Sequence, residues 1–193
     1  MSQRTLDQAR VLAQTRRWLE RAVIGLNLCP FAKAVYAKDQ VHYVVYEGED
    51  ANAYLTLLGD ELAQLQACDA QLRDTTLLIA PQLCPEFLDF HALLARAQRV
   101  LRKSGLEGVL QIASFHPAYE FADAPPGDMA HYSNRAPFPI LHLLREDSVA
   151  RAVSAYPQAQ TIYGRNIATL RAMGLAGWQA LDCGPLRDCG PLP

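Results

Sequence analysis

The sequence has little net charge and no long apolar run. Its 193 residues contain 18 Lys and Arg against 20 Asp and Glu, which gives a net charge of −2. This balance excludes a strongly basic nucleic-acid-binding protein, so we expect no nucleic-acid partner. No apolar stretch approaches the ~20 residues that span a bilayer, so we expect no membrane association. The first ten residues, MSQRTLDQAR, lack the apolar core of a signal peptide, which predicts a cytoplasmic protein.

Several motifs of common enzyme classes are also missing. The chain has no G-x-x-x-x-G-K-[ST] or G-x-G-x-x-G motif, so the usual nucleotide-binding loops are excluded. It also lacks the G-x-S-x-G motif that carries the nucleophile of α/β-hydrolases. The five cysteines include no C-x-x-C pair, and their odd number predicts reduced thiols. His116, Asp128, His131 and His142 have the chemistry of metal ligands but a spacing that matches no metal motif, so we predict no metal site. The sequence leaves any cofactor unknown.

Apolar and β-branched stretches alternate with helical patterns along the chain. Strands are predicted at residues 41–46, 75–80, 109–115 and 140–144, and a first helix at residues 5–26. The strands are almost continuously apolar, which indicates that helices cover both faces of the sheet. We therefore predict an α/β fold with a mixed four-stranded sheet covered by helices. A two-layer, ferredoxin-like α+β arrangement is the alternative.

Residues 1–181 are predicted to form a single globular domain. The length suits one domain, and the end of the chain repeats DCGPL twice. Because glycine and proline recur in this short space, residues 182–193 are predicted to form a flexible tail.

The most unusual segment is the connection at residues 116–139, which we call the long loop. It joins two predicted strands, whereas most connections contain only ~4–6 residues, and long irregular ones are often functional. The loop combines five prolines with aromatic and polar side chains. His116 lies just past the third strand, where ligands gather in open α/β sheets. We therefore expect this loop to form the wall of a pocket.

Cys29 is a second candidate. It precedes Pro30, which suits the first position of a new short helix. Helix-terminal N–H groups would then favour the thiolate, and Lys33 would add positive charge. Cys29 and His116 could act as a catalytic pair. The structural alternatives are a small buried cysteine and a hydrogen-bonded histidine.

Arginines near the same segments suggest an anion site. Arg135 follows Asn134 in the long loop, and Arg145 ends the fourth strand. Guanidinium groups match carboxylates and phosphates in geometry. We take Tyr119, Asn134, Arg135 and Arg145 as candidate ligand-binding residues, although each arginine could equally pair with a neighbouring carboxylate.

Three segments resemble a known family. They are GLNLCPFAKAV at 25–35, LQIASFHPAYEF at 110–121 and SNRAPFPILHLLREDSVARAV at 133–153. These blocks are similar to those of domain-of-unknown-function family 1415, an uncharacterised and mainly bacterial family. The resemblance implies kinship of fold and gives no mechanism. It departs at His131, where the family pattern has asparagine.

Two functions are consistent with these observations. The first is a small cytoplasmic enzyme that acts on an anionic small molecule, with His116 and Cys29 as catalytic residues. The second is a non-catalytic binding or assembly module, in which the basic first helix meets an acidic partner or the chain forms a homodimer.

Overall fold

The computed structural model describes residues 7–156 and 159–185, and its centre is a four-stranded sheet. The strands are β1 (Val41–Val45), β2 (Thr75–Ile79), β3 (Leu110–Phe115) and β4 (Ile140–Arg145). Their order is β1-β2-β4-β3; β1 and β2 are parallel, and β4 is antiparallel to both of its neighbours. The predicted mixed sheet is therefore confirmed, with the last strand inserted at its centre.

Helices separate most of the strands along the chain. They are α1 (Gln8–Trp18), α2 (Ala32–Ala37), α3 (Ala51–Ala67), α4 (Phe87–Lys103), α5 (Glu146–Ala155) and α6 (Ile162–Ala180). A π-helical segment (Leu19–Ile24) continues α1, and short 3-10 helices occur at Met129–Ser133 and Ala159–Thr161.

The two faces of the sheet carry separate hydrophobic clusters. Because side chains alternate along a strand, Leu78 packs on one face with Leu141 and Leu143, against α3 and α4. Leu77 and Ile140 pack on the opposite face, against α1 and α6. Both faces are covered, as predicted, so the fold has three layers rather than the two of the ferredoxin-like alternative.

The first helix differs from its predicted span. It begins at Gln8, where the side chain of Asp7 accepts a hydrogen bond of 3.0 Å from the backbone N–H of Ala9. The predicted start of this helix at residue 5 lies outside the described residues. At its other end the helix widens into the π-helical segment before Gly25.

The segment predicted as a tail is described as far as residue 185. Cys183 is buried in the cluster around α1 and α6. The side-chain amide of Gln14 donates a 2.8 Å hydrogen bond to the carbonyl of Gly184. The start of the segment therefore packs on α1; residues 186–193 lie outside the described residues.

Candidate functional site

The long loop is held firmly against the end of β3. The backbone N–H of His116 donates to the carbonyl of Asn134 (3.1 Å), and the Asn134 amide donates to the carbonyl of Ser114 (3.1 Å). The indole N–H of Trp18 donates to the carbonyl of Arg135 (3.0 Å). Asn134 therefore joins the two ends of the loop, which positions the residues on either side of it.

His116 is buried beneath the loop, with both ring nitrogens engaged. Its Nδ1 accepts from the backbone N–H of Ala118 (3.1 Å), so its Nε2 carries the proton and donates to the carbonyl of Cys84 (3.0 Å). The ring stacks on Phe90 at 5.1 Å. Burial lowers the pKa of His116, so the imidazole is neutral at physiological pH.

Arg135 and Tyr119 meet on the outside of the loop. The Nε of Arg135 donates to the carbonyl of Tyr119 (3.3 Å), and its guanidinium lies 4.3 Å from the centre of the Tyr132 ring. The ring of Tyr119 packs on Phe87 and Phe121. The structure thus brings these two predicted residues together, with the guanidinium stacked on an aromatic ring.

Arg145 holds the end of a helix in place. Its Nη2 donates to the carbonyls of Leu65 (2.5 Å), Cys68 (2.6 Å) and Arg73 (3.1 Å), so it satisfies acceptors at the C-terminus of α3 and in the following loop. Its Nε lies 4.0 Å from the carboxylate of Asp74. Nη2 of Arg145 is therefore turned towards this helix end, whereas its Nε is buried without a hydrogen-bond partner among the described residues.

Cys29 lies on the side of the sheet that carries α1. The backbone N–H groups of Phe31 and Ala32 face its thiol and favour the thiolate, but burial outweighs them and raises the pKa of Cys29 above its ordinary value. The thiol is therefore protonated at neutral pH. His116 packs with Phe90 on the opposite side of the sheet, so the structure does not bring Cys29 and His116 together.

Cys29 lines a pocket of about 560 Å³ on the face of the sheet, which we call the sheet pocket. Strands β2, β3 and β4 form the floor of the pocket. The C-terminal end of α1 and the short helix α2 form one side, and α5 forms the other. Five of the lining side chains are alanines, which leave space that larger side chains would fill. They are Ala32, Ala34, Ala113, Ala152 and Ala155. Aromatic rings of Trp18, Phe31, Phe115 and Tyr156 complete the apolar wall.

His142 is the imidazole of this pocket, and its hydrogen bonds fix its tautomer. The hydroxyl of Thr75 lies 2.7 Å from the carbonyl of Leu143 and 2.5 Å from Nε2 of His142. A carbonyl cannot donate, so the single hydroxyl proton of Thr75 points to Leu143 and Nε2 of His142 must donate to Thr75. Nδ1 is left as an acceptor without a hydrogen-bond partner among the described residues.

The polar groups of the sheet pocket carry little charge. Burial lowers the pKa of His142 to about 4, so the ring is neutral at physiological pH. Gln111 lines the pocket beside it on β3. The Asp74 carboxylate at the rim accepts a 2.6 Å hydrogen bond from the hydroxyl of Ser148. The site is thus mostly apolar, with the neutral groups of His142 and Gln111 and the Asp74–Arg145 ion pair among its lining residues; few polar groups in an apolar wall are typical of small-molecule pockets.

A second depression of about 730 Å³ lies between α1, the long loop and α6, and we call it the arginine cleft. It is lined by Arg10, Arg17 and Arg135, by the rings of Tyr132 and Trp178, and by residues of the segment 182–185. Arg135 therefore lies in the arginine cleft and Arg145 at the sheet pocket, so these two predicted ligand-binding residues do not share a site.

Sequence reasoning singled out Cys29 but missed Thr75 and the role of His142. The alternation of ILHLL at 140–144 does place His142 on the same face as Ile140, and this face carries the pocket. The small side chain of Ala113, which pairs with His142 across β3 and β4, leaves space for the pocket beside the imidazole. The pocket lies over the first half of β2 and along β3 from Gln111 to Phe115, whereas we expected a site beyond the carboxyl end of β3.

Comparison with known proteins gives a family. Residues 10–180 match the family described as Protein of unknown function (DUF1415). The chain belongs to this family. The resemblance read from the sequence is therefore confirmed, and the family description assigns no activity. No curated protein and no solved structure gave a significant match.

Within residues 7–156 and 159–185, no three or more His, Cys, Asp or Glu side chains are grouped so that they could hold a metal ion. In the same part of the chain, none of the helices has both the length and the apolar character needed to span a membrane.

Proposed function

We propose that this protein binds a small, largely apolar organic molecule that carries a hydrogen-bond donor, and that it does so in the sheet pocket. The observation that carries the proposal is the unpartnered Nδ1 of His142 on the wall of an apolar pocket. A ligand hydroxyl or N–H would supply the donor that this nitrogen lacks, while aromatic and alanine side chains would contact its apolar body.

The size of the sheet pocket supports this assignment. Its volume of about 560 Å³ lies within the ~300–1,000 Å³ of typical ligand sites. Trp18 is fixed by its indole hydrogen bond and by an edge contact with Phe115 at 5.1 Å, so the wall is preformed. A preformed wall lowers the entropic cost of ligand binding.

The protonation states favour binding over nucleophilic catalysis. At neutral pH, Cys29 is a thiol and His142 a neutral imidazole, because burial disfavours the charged form of each. In the enzyme hypothesis His116 would activate Cys29, but its ring nitrogens are occupied by Cys84 and Ala118. A non-catalytic binding role is therefore the better supported of the two sequence-based hypotheses.

The proposal predicts a donor-dependent affinity for a simple aromatic probe. We expect 2-naphthol to bind and quench the fluorescence of Trp18, measured in a Trp178→Phe background that leaves Trp18 as the only tryptophan. One hydrogen bond should make its affinity about three- to tenfold higher than that of 2-methylnaphthalene, which lacks a donor. His142→Phe keeps a ring but removes the acceptor, and it should abolish this preference.

A pocket-filling variant supplies the second half of the test. Ala113→Leu should weaken the binding of both probes, because the larger side chain occupies the space opposite His142. Ala95→Leu makes the same change on the exposed surface of α4 and should bind both probes as the unmodified protein does. The sheet pocket is not the binding site if 2-naphthol fails to bind the unmodified protein, or if it binds Ala113→Leu and Ala95→Leu with equal affinity.

A further inference from the structure

We infer that the arginine cleft is a second, separate site that binds a small, doubly charged organic anion, and that Asp182 occupies part of this site in the free protein. This inference does not depend on the sheet pocket. The anion would carry a phosphate or two carboxylate groups, which present paired oxygens to guanidinium forks.

The lining of the arginine cleft has an excess of positive charge. Arg10, Arg17 and Arg135 face it, and Asp182 is the one carboxylate among its lining residues in the described part of the chain. Asp182 pairs with Arg17 at 2.6 Å. Arg10 is exposed, and its side chain makes no ion pair or hydrogen bond with a described residue. The guanidinium groups of Arg10 and Arg135 therefore face the cleft without forming an ion pair with a carboxylate of the described residues.

Arg135 is held in an orientation suited to an anion. Its Nε bonds to the carbonyl of Tyr119 and its plane lies over Tyr132, whose ring meets Trp178 edge-on at 5.1 Å. Both terminal amino groups of Arg135 remain without a hydrogen-bond partner among residues 7–156 and 159–185. Since the guanidinium is already positioned, binding an anion would cost little side-chain entropy. The ring of Trp178 offers an apolar surface for the rest of the ligand.

Asp182 occupies the position that a ligand carboxylate would take at Arg17. Its backbone is left-handed, with φ of 49°, and its side chain is 70% exposed. The segment is attached to α1 independently of this ion pair, because Gln14 donates to Gly184 and Arg21 donates to the carbonyl of Leu181 (3.0 Å). An anion can therefore replace the Asp182 carboxylate at Arg17 without detaching the segment.

Calorimetric titration with inorganic phosphate and with succinate, at constant ionic strength in chloride, tests this inference. Asp182→Asn removes the competing charge and keeps a residue that tolerates the left-handed region, so it should bind the anion about three- to tenfold more tightly. Arg135→Gln should weaken binding about tenfold or more, and Arg10→Gln about threefold. Arg99→Gln, an exposed position on α4, should have no effect.

The titrations identify the class of anion and can also overturn the inference. A preference for phosphate assigns a phosphate ligand, and a preference for succinate assigns a dicarboxylate. The inference is overturned if neither ion binds, or if Asp182→Asn binds no more tightly than the unmodified protein. It is also overturned if Arg10→Gln behaves like Arg99→Gln. Arg10 is exposed, so this last comparison holds even if Arg135→Gln fails to fold, as thermal denaturation would show.

Discussion

Replacing Glu61 with leucine should lower the free energy of unfolding by about 3–5 kcal/mol. Glu61 on α3 forms an ion pair with Arg73, and both side chains are at least 90% buried. Arg73 also donates to the hydroxyl of Thr76 from Nε (3.0 Å) and Nη2 (2.8 Å). Loss of the carboxylate would leave a buried guanidinium whose charge has no counterion, which costs much more than the lost contact itself.

Urea denaturation of a double-mutant cycle would measure this effect. Arg73→Met combined with Glu61→Leu removes both charges, so the double variant should lose much less stability than the two single variants together. Arg17→Ala removes an exposed ion pair instead and should change stability by less than about 1 kcal/mol. Equal losses in Glu61→Leu and Arg17→Ala would contradict the predicted cost of the buried charge.

Acidification should destabilise the protein through His142, by up to about 3 kcal/mol. The ordinary pKa is 6.5 and burial lowers the pKa of the folded state to about 4. Between these values the unfolded chain binds a proton that the folded chain does not, so the free energy of unfolding rises with pH. This stability is fully present above pH 6.5 and is lost as the pH falls towards 4.

The measurement compares the pH dependence of urea denaturation with that of His142→Gln. A glutamine amide can still donate to Thr75 but does not titrate in this range. Burial also lowers the pKa values of His42 and His116, so the effect of His142 is the difference between the two curves. His91→Gln, at an exposed position on α4, serves as the control. Parallel curves for the unmodified protein and His142→Gln would show that His142 does not titrate as predicted.

The strands and the covered sheet could be predicted because their signals are local. Val41–Val45 is rich in β-branched residues, which indicates a strand, and Thr75–Ile79 has the composition of a strand buried on both faces. The position of β4 between β2 and β3 has no such signal. Any apolar strand offers two similar edges, so strand order depends on packing between distant segments.

The candidate site was harder to predict, because it depends on the direction of single side chains. His116 and Arg135 lie at neighbouring ends of the long loop, yet one is buried against Phe90 and the other faces the arginine cleft. The sequence places both near the end of β3 but cannot say which side each takes. His142 had the clearer signal, because alternation in a strand does fix the face of a side chain.

The central position of β4 also constrains when the protein can fold. During synthesis, β2 and β3 emerge well before the strand that separates them in the sheet. In a nascent chain that ends before Ile140, the edges of β2 and β3 that face β4 in the native sheet have no partner. Such unpaired edges can form hydrogen bonds with other chains. The native sheet therefore closes only after Ile140–Arg145 has been synthesised, and until then the facing edges of β2 and β3 lack their native partner.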